Sequence, residues 1–418
     1  MRIAIIGNMN NGGFSIMRYF RDLGADAWLL PYATDGIGQL AHFAPEADTW
    51  EPARWRKFIR PFPVPNSAQA IIGEPAALRP PVPRKRIEAA LRGYDCFIGS
   101  GVAPALFERI GRVLDIFFPY SIGIEFYGTA EFRARMAASS VRRLMHGRVR
   151  KMQAQGIRNA RHCLNAEMSL TRASFEEIGK PFAHLGIPAV YNRGDRGRAA
   201  APPRLREALR RIAQADLSLF GAARQMWVRD AAIPEAEWPA CTKNSDWLIR
   251  GAAAFLAAHP GAKLLLTLVE YGPDTDATKR LIAELGLEAH VQWLPVMPRR
   301  EIMLLLEASD IGVGEFYTAP GLLWGGTGWE ALASGRPLLQ AFNFTRQGYE
   351  STFGHAPPPL LDVRSAGDVA RQLSVVASMA DKGRSIGTAS AAWFDRHGGI
   401  GLARRWLELI APTPEAAG

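Results

Sequence analysis

Short apolar strands alternate with amphipathic helical segments along most of the chain, and this alternation restricts the fold more than any other feature. The run RIAII near the N terminus is apolar almost throughout, as expected for a strand buried on both faces of a sheet. The later segment FSIMRYFRDLG spaces Met17, Phe20 and Leu23 about one helical turn apart and ends on glycine. Strands joined by helical crossovers predict a parallel, doubly wound α/β sheet.

The alternation is interrupted once, near the middle of the chain. Residues 193–205, RGDRGRAAAPPRL, have no apolar period and are rich in Arg, Gly, Ala and Pro, which is typical of an interdomain linker. We therefore predict two Rossmann-like domains, at 1–195 and 214–390, with a linker at 196–213. The C-terminal helical region, 391–418, is expected to cross back to the first domain. Two such domains would face each other across a cleft, with ligands at the carboxyl ends of the strands.

Composition excludes several classes of protein. The chain has 418 residues, of which 48% are hydrophobic and 22% charged, as in soluble globular proteins. The sequence has no run of about 18 apolar residues, which a membrane-spanning helix would need. Its N terminus does not resemble a secretory signal. The three widely spaced cysteines are typical of a reducing cytosol and of neither a disulfide framework nor a zinc site. The net charge of +10 favours an anionic partner.

The stretch GGTGWEALASGRPLLQ, residues 325–340, combines a glycine-rich approach with a short helix that carries one carboxylate, Glu330. A helix N terminus has free N–H groups and a partial positive charge, and glycines allow a phosphate to come close to them. A carboxylate just beyond can accept hydrogen bonds from a sugar hydroxyl. The combination predicts a site for a nucleoside diphosphate.

The second half of the chain resembles the donor domain of GT-B-fold, nucleotide-sugar-dependent, retaining glycosyltransferases. Residues 268–316 follow that family's order of a strand with a Gly-Pro turn, a helix ending ELGL, a strand, a helix ending Ala-Ser-Asp, and another strand. WEALASGRPLL then matches its helix with a Glu-Ala pair and a Gly-x-Pro end. The resemblance covers roughly residues 215–345. In the first half it rests on the order of elements and on Gly12 and Gly13 after the first strand.

The resemblance implies roles for residues of this chain. Glu330 would accept hydrogen bonds from the donor ribose, and the cations Arg224 and Lys243 would clamp the diphosphate without a metal. The remaining positions would contact the diphosphate, the base or the sugar through their backbone: Gly326, Thr327 and Gly328 at the helix start, Leu294 within 293–296 at a strand end, and Gly12 and Gly13 in the first domain.

Two departures concern the sugar. The family's second glutamate, eight positions before the ribose glutamate, is replaced here by Leu322, while Glu315 stands farther upstream before a longer loop. Glu315 is therefore a candidate for the missing acid. In the first domain, Glu125 and Tyr120 follow a strand and are candidates to contact sugar or acceptor, with simple packing as the alternative.

Each assignment has a structural alternative. Glu330 could simply complement the helix dipole, Arg224 and Lys243 could be surface charges, and the paired glycines could serve a turn. Asp274 and Asp276 spell the Asp-x-Asp pattern of metal-dependent glycosyltransferases, but they lie between a strand and a helix and are interpreted as turn and cap residues. The histidines show no ligand spacing, so no metal is expected. The loop GNMNNGG lacks the G-x-G-x-x-G pattern of nicotinamide enzymes.

One segment points to a partner. Between residues 132 and 166 the sequence has nine Arg or Lys and no Asp or Glu, with apolar residues among them. A basic amphipathic helix is typical of membrane-surface binding, so residues 132–161 are a candidate for contact with anionic lipid, and a solvated helix face is the alternative. Nucleic acid is not expected, because no recognition motif accompanies the charge.

These features predict a metal-independent glycosyltransferase, with retention of configuration implied by the resemblance. It would move a sugar from a nucleotide diphosphate donor to a saccharide or lipid-linked acceptor. The donor is a substrate, and no cofactor is expected. The enzyme would be cytoplasmic or peripheral on the inner face of the cell membrane. The alternatives are a GT-B sugar-nucleotide epimerase or phosphorylase, and a non-catalytic nucleotide-sugar-binding subunit, which the leucine at 322 would explain.

Overall fold

The computed structural model describes residues 1–36, 43–74, 77–120, 125, 140–164, 169–194 and 201–411, without the side chains of 140–145, 169 and 170. The chain divides into two compact units, Met1–Tyr191 with His397–Gly418, and Asn192–Arg396. Each unit is built on a parallel sheet with helical crossovers, so the predicted α/β fold class is confirmed.

The first unit has one parallel sheet in the described residues. Its strands are β1 (Arg2–Ile6), β2 (Asp26–Leu30), β3 (Cys96–Gly99), β4 (Ile116–Phe117) and β5 (His162–Cys163), in the order β2-β1-β3-β4-β5. Its first seven helices are α1 (Gly12–Asp22), α2 (Pro52–Arg56), α3 (Gln69–Ile72), α4 (Arg84–Ala90), α5 (Ala103–Ile110), α6 (Ser140–Asn159) and α7 (Ser169–Ile178).

Strand β1 explains why RIAII is apolar almost throughout. Ala4 and Ile6 belong to the hydrophobic cluster on one face of the sheet, and Ile3 and Ile5 belong to the cluster on the other face. Alternate side chains of a strand point to opposite faces. Helices cover both faces of this sheet, so β1 has no solvent-facing side on which alternate residues could be polar, as they are in a half-exposed strand.

The second unit has a six-stranded parallel sheet in the order β11-β10-β9-β6-β7-β8. Its strands are β6 (Leu217–Gly221), β7 (Leu264–Val269), β8 (Val291–Leu294), β9 (Ile311–Val313), β10 (Leu338–Gln340) and β11 (Leu361–Asp362). Its helices are α8 (Arg206–Gln214), α9 (Trp238–Cys241), α10 (Ser245–Ala258), α11 (Thr275–Glu284), α12 (Arg299–Ala308), α13 (Gly326–Ser334), α14 (Arg346–Phe353), α15 (Ala366–Ser378) and α16 (Arg384–His397).

Part of the predicted linker is a regular helix. Residues 195–200 lie outside the described residues, and α8 overlaps the predicted linker at positions 206–213. Its residues Ala208 and Ile212 are buried in the second unit. The arginine-rich composition concealed this helix, because a short amphipathic helix needs only two or three apolar residues on its inner face.

The C-terminal helix α17 (Ile400–Ile410) belongs to the first unit. Trp406 is fully buried there, and its ring meets that of Phe118 edge to face, with centroids 5.3 Å apart. The indole N–H donates to the Gly186 carbonyl at 3.1 Å. This tryptophan thus ties the end of the chain to the core that contains β1.

Candidate functional site

The start of α13 is rich in glycine and open to solvent. A methyl group at Gly326 would meet no heavy atom within 4 Å, whereas one at Gly328 would lie 2.3 Å from the Cβ of Trp324. In the part of the chain that the structure describes, no acceptor is bonded to the backbone amides of Gly326 and Thr327. Unpaired amides in the first turn of a helix attract anions, so this helix start can receive a phosphate.

A buried ion pair lies beside the helix start. Lys243 Nζ is 2.9 Å from Glu315 Oε1, and the two side chains are only 10% and 11% exposed. The ammonium also donates to the Tyr317 hydroxyl and lies 3.9 Å from the centroid of its ring. Burial lowers the pKa of Lys243, and the charge of Glu315 partly opposes that shift. The structure thus brings together two residues predicted separately and adds Tyr317, which the sequence analysis did not identify.

The second oxygen of Glu315 lies against the residue that precedes α13. A Cβ at Gly325 would be 2.0 Å from Glu315 Oε2, so a side chain there would displace the carboxylate. This oxygen is buried and has no hydrogen-bond partner among the described residues. Leu322, which replaces the family's glutamate, lies between them in sequence. Glu315 therefore reaches the helix start from a different sequence position, which fits its candidacy for the missing acid.

Arg224 lies in the loop that follows β6. Its loop lies next to Lys243, because the Lys243 amide donates to the carbonyl of Met226, two residues after Arg224, at 2.7 Å. The loop is held from the other side by Asp274, whose Oδ2 accepts hydrogen bonds from the amides of residues 227 and 228 at 2.6 and 2.8 Å. The long insertion between the two predicted cations therefore does not separate them in space.

The Asp-x-Asp pattern has the structural role predicted for it. Asp274 is the N-cap residue of α11, and Asp276 lies in its first turn. The carboxylate of Asp274 binds the loop amides described above rather than the amides of its own helix. No cluster of three or more metal-ligating side chains occurs within the described ranges.

Glu330 is buried on α13 and forms an ion pair. Arg299 Nε donates to Glu330 Oε1 at 2.8 Å, and the side chains are 15% and 8% exposed. Neither the ribose nor the helix-dipole interpretation anticipated this arginine. It is the first residue of α12, and only the packing of α12 against α13 brings it to the carboxylate. Arg299 therefore holds one carboxylate oxygen of Glu330 by a direct hydrogen bond.

Leu294 ends β8, at the strand end where the base was expected. Its carbonyl accepts the Glu270 amide at 2.8 Å, and it pairs with Val269 of β7. Two residues later Val296 is 64% exposed. The backbone that follows Leu294 is therefore accessible, and contact with a base there stays a prediction.

No family model matches the chain. A segment of 105 residues is 34% identical to D-inositol 3-phosphate glycosyltransferase of Nocardia farcinica, and the match spans 24% of this chain and only 22% of that relative's length. Among solved structures, Anabaena HepE in complex with UDP is 17% identical with a TM-score of 0.57, covering 98% of this chain and 100% of the other.

Two further solved structures extend the comparison. WaaG, a glycosyltransferase involved in lipopolysaccharide biosynthesis, has 14% identity and a TM-score of 0.51, over 98% of this chain and 100% of the other. Sucrose-phosphate synthase from Thermosynechococcus elongatus has 13% identity and a TM-score of 0.53, over 98% of each chain. The chain has the GT-B fold. The predicted resemblance to GT-B glycosyltransferases is thus confirmed as a likeness of fold.

The first unit of this GT-B chain uses its paired glycines for packing. A Cβ at Gly12 would lie 1.3 Å from the Tyr120 hydroxyl, and one at Gly13 would lie 2.1 Å from the carbonyl oxygen of Gly7. Both glycines are buried. The Asn8 side-chain oxygen accepts the Phe14 amide at 2.8 Å, which occupies another amide of the first turn. Close approach of backbone and side chains is enough to explain these glycines.

Glu125 is fully buried in the same unit. Its Oε1 accepts hydrogen bonds from the amides of Tyr120 at 2.9 Å and Gly101 at 3.3 Å, and the Gln153 amide group donates to its backbone carbonyl at 3.0 Å. These contacts agree with the packing alternative and give Glu125 a role in holding the loop after β4. A catalytic role for Glu125 stays a prediction.

The basic segment is only partly described. Arg133, Arg135, Arg142 and Arg143 lie outside the described side chains, and the described part forms most of α6. Arg161 pairs with Asp115 at 2.7 Å, and Arg158 Nε donates to the Ile178 carbonyl at 2.9 Å. Arg148 and Lys151 are exposed. In the described ranges, no helix is long and apolar enough to cross a membrane.

Proposed function

We propose that the protein is a glycosyltransferase that moves a sugar from a nucleotide diphosphate donor to a saccharide or lipid-linked acceptor. The observation that carries this proposal is the convergence of Lys243, Arg224 and Glu315 beside the open start of α13. The GT-B fold supports it, and so does the local identity to a glycosyltransferase. The neighbour HepE was crystallised with UDP and with UDP-glucose, which favours a nucleotide sugar as the donor here.

The geometry suggests how the donor would react. The bond between the sugar's anomeric carbon and the β-phosphate oxygen breaks, and the bonding electrons stay on the phosphate. The amides of Gly326 and Thr327, together with Lys243 and Arg224, would stabilise the charge that develops there, so no metal is required. Glu330, oriented by Arg299, would accept hydrogen bonds from the ribose.

The sugar would lie next to Glu315. Its unpartnered Oε2 can accept a hydrogen bond from a sugar hydroxyl, which is the role of the acid absent at Leu322. The acceptor hydroxyl attacks the anomeric carbon and gives its proton to the departing β-phosphate oxygen. Retention of configuration is part of the proposal because the resembled family is retaining.

Calorimetry with UDP, GDP and ADP and the matching nucleotide sugars tests the donor site first. Glu330→Gln should weaken binding of the preferred nucleotide by about 1.5–3 kcal/mol, because a ribose hydroxyl loses a charged acceptor. Glu350→Gln, which removes a carboxylate from an exposed ion pair of the same unit, is the matched control and should bind normally. Equal affinity in the Glu330 variant and the wild type would refute the ribose assignment.

Transfer of labelled sugar separates the proposed activity from its alternatives. A new glycoside bond to an added saccharide or lipid-linked acceptor, formed in the presence of a chelator, supports a metal-independent transferase. Isomerised nucleotide sugar would indicate an epimerase, and sugar phosphate formed from a glycoside and inorganic phosphate would indicate a phosphorylase. Tight donor binding without any product would indicate a binding subunit.

We also propose that exposed cations of α6 bring the protein to the anionic inner face of the cell membrane. Arg148 and Lys151 are exposed. Arg158 and Arg161 are exposed as well, but they already bond to the Ile178 carbonyl and to Asp115. Liposomes with anionic lipid should bind the protein at low salt and release it as salt rises, because exposed charges are screened within about 10 Å at 0.1 M. Arg148→Gln with Lys151→Gln should reduce sedimentation. Arg161→Gln is the control, and equal loss in both would contradict the assignment.

A further inference from the structure

The ion pair beside α13 changes the charge of the proposed donor site. Glu315 neutralises Lys243 at 2.9 Å, while Arg224 forms no ion pair with any acid in the described ranges. The three side chains together therefore present a single net positive charge to a diphosphate. A site built only to bind anions tightly would not place a carboxylate within this cluster.

The same carboxylate borders the place where the terminal phosphate would lie. Glu315 Oε2 lies against Gly325, the residue directly before the free amides of Gly326 and Thr327. Glu315 is 8% exposed, so water screens its charge only weakly. A group bound to these amides would therefore experience both the attraction of the helix start and the repulsion of the carboxylate.

Substrate and product differ most at this point. In a nucleotide sugar the β-phosphate is esterified to the sugar, and it bears one negative charge. After transfer it becomes a terminal phosphate, whose second proton has a pKa of about 6, so at neutral pH it bears a second negative charge. The sugar also has hydroxyl groups that can donate to Glu315 Oε2, and the free product has none at that position.

We infer that Glu315 is a specificity-determining residue that makes the site favour the intact nucleotide sugar over the free nucleoside diphosphate, and so speeds release of the product. This inference rests on the proposed function of the site. Oε1 neutralises Lys243, and Oε2 accepts a sugar hydroxyl from the substrate but repels the extra charge of the product.

Glu315→Gln tests the inference, because the amide can still accept from Lys243 while the charge is removed. The probes are UDP against UDP-glucose and GDP against GDP-mannose, measured by calorimetry at neutral pH. The variant should bind the nucleoside diphosphate about tenfold more tightly, the order expected from removing one charge in a partly buried site. The affinity for the nucleotide sugar should stay equal or fall. Glu315→Asp, which keeps the charge, should retain the wild-type preference, and Glu350→Gln should change neither affinity.

The pH dependence of the Glu315→Gln effect supplies a second test. The gain in nucleoside diphosphate affinity over the wild type should be larger above about pH 6, where the terminal phosphate has both charges, than below it, where one is lost. The inference is overturned if Glu315→Gln binds the nucleoside diphosphate no more tightly than the wild type, or if the gain is independent of pH. Failure of the wild type to bind any nucleotide would instead overturn the proposed donor site itself.

Discussion

Two helices of this molecule begin with glycines after a strand, and they use those glycines in opposite ways. At α1, Gly13 lies against the carbonyl of Gly7, and added atoms would collide with backbone. At α13, Gly326 faces open space, and its amide is free to meet a ligand. The same local sequence signal therefore has two physical causes, close packing in one unit and access in the other.

The surroundings of the two helix starts differ in charge as well. Two cations, Lys243 and Arg224, lie beside α13. Beside the loop before α1, Asp35 Oδ2 accepts the amides of Asn8 and Tyr32 at 3.0 Å each. Cations therefore lie beside the start of α13, whereas a carboxyl group of the chain lies beside the loop before α1.

Arg224→Ala should lower turnover by about 10²–10³-fold, because a fixed cation is lost where the leaving diphosphate gains charge. The melting temperature should change little, since Arg224 forms no ion pair with the described acids. Steady-state transfer kinetics and thermal unfolding measure the two effects, with Arg346→Ala on α14 as the control. Equal losses of activity and stability would point to a structural role.

Lys243→Ala is a less selective test of the same cluster. It removes a cation from the site but also leaves Glu315 buried without a counter-ion, which costs about 3–5 kcal/mol of stability. The variant should therefore lose both activity and stability. Adding Glu315→Gln to it should recover much of the stability and little of the turnover.

Gly13→Ala should destabilise the protein by about 3 kcal/mol, because the new methyl group would lie 2.1 Å from backbone that cannot move aside. Gly12→Ala is the matched variant, and its methyl group would meet the end of the Tyr120 side chain rather than backbone. Chemical denaturation should show the larger loss for Gly13. A well-folded Gly13→Ala protein with impaired nucleotide binding would show that α1 is also a ligand site.

Asp35→Asn should remove a pH dependence of stability. Burial raises the pKa of Asp35 from 3.8 to about 6, so the fold favours its neutral form, and stability is lost as pH rises through that range. At neutral pH the variant should be more stable by about 3 kcal/mol, and at about pH 4 the difference should vanish. Urea unfolding at several pH values measures this. A difference that does not depend on pH would exclude Asp35 titration as its cause.

Gly326→Ala should have the smallest effect on stability and the clearest effect on binding. Its methyl group meets nothing in the structure, and alanine favours a helix by about 1 kcal/mol over glycine. The variant should be as stable as the wild type or slightly more so. Nucleotide affinity should fall severalfold, because the methyl group lies where the phosphate approaches. Unchanged nucleotide affinity in this variant would show that the start of α13 is not part of the donor site.

The sequence alone predicted the parallel α/β architecture, because the apolar periods of its strands and helices reflect burial on both faces of each sheet. It also predicted that Glu330 and the glycines before it form a helix start, since these signals are local. It missed α8, whose few apolar residues are diluted by arginine. Local pattern thus determined the elements wherever burial imposed a regular period.

Tertiary structure alone decided which residues meet. Arg299 reaches Glu330 from another helix, and Tyr317 and Glu315 reach Lys243 across 74 and 72 positions of sequence, distances over which no periodicity extends. Whether a glycine serves packing or access also depends on what lies opposite it, as Gly13 and Gly326 show. A sequence records which groups are present at each position. Ion pairs and steric contacts depend on separations of a few ångström that only the folded chain defines.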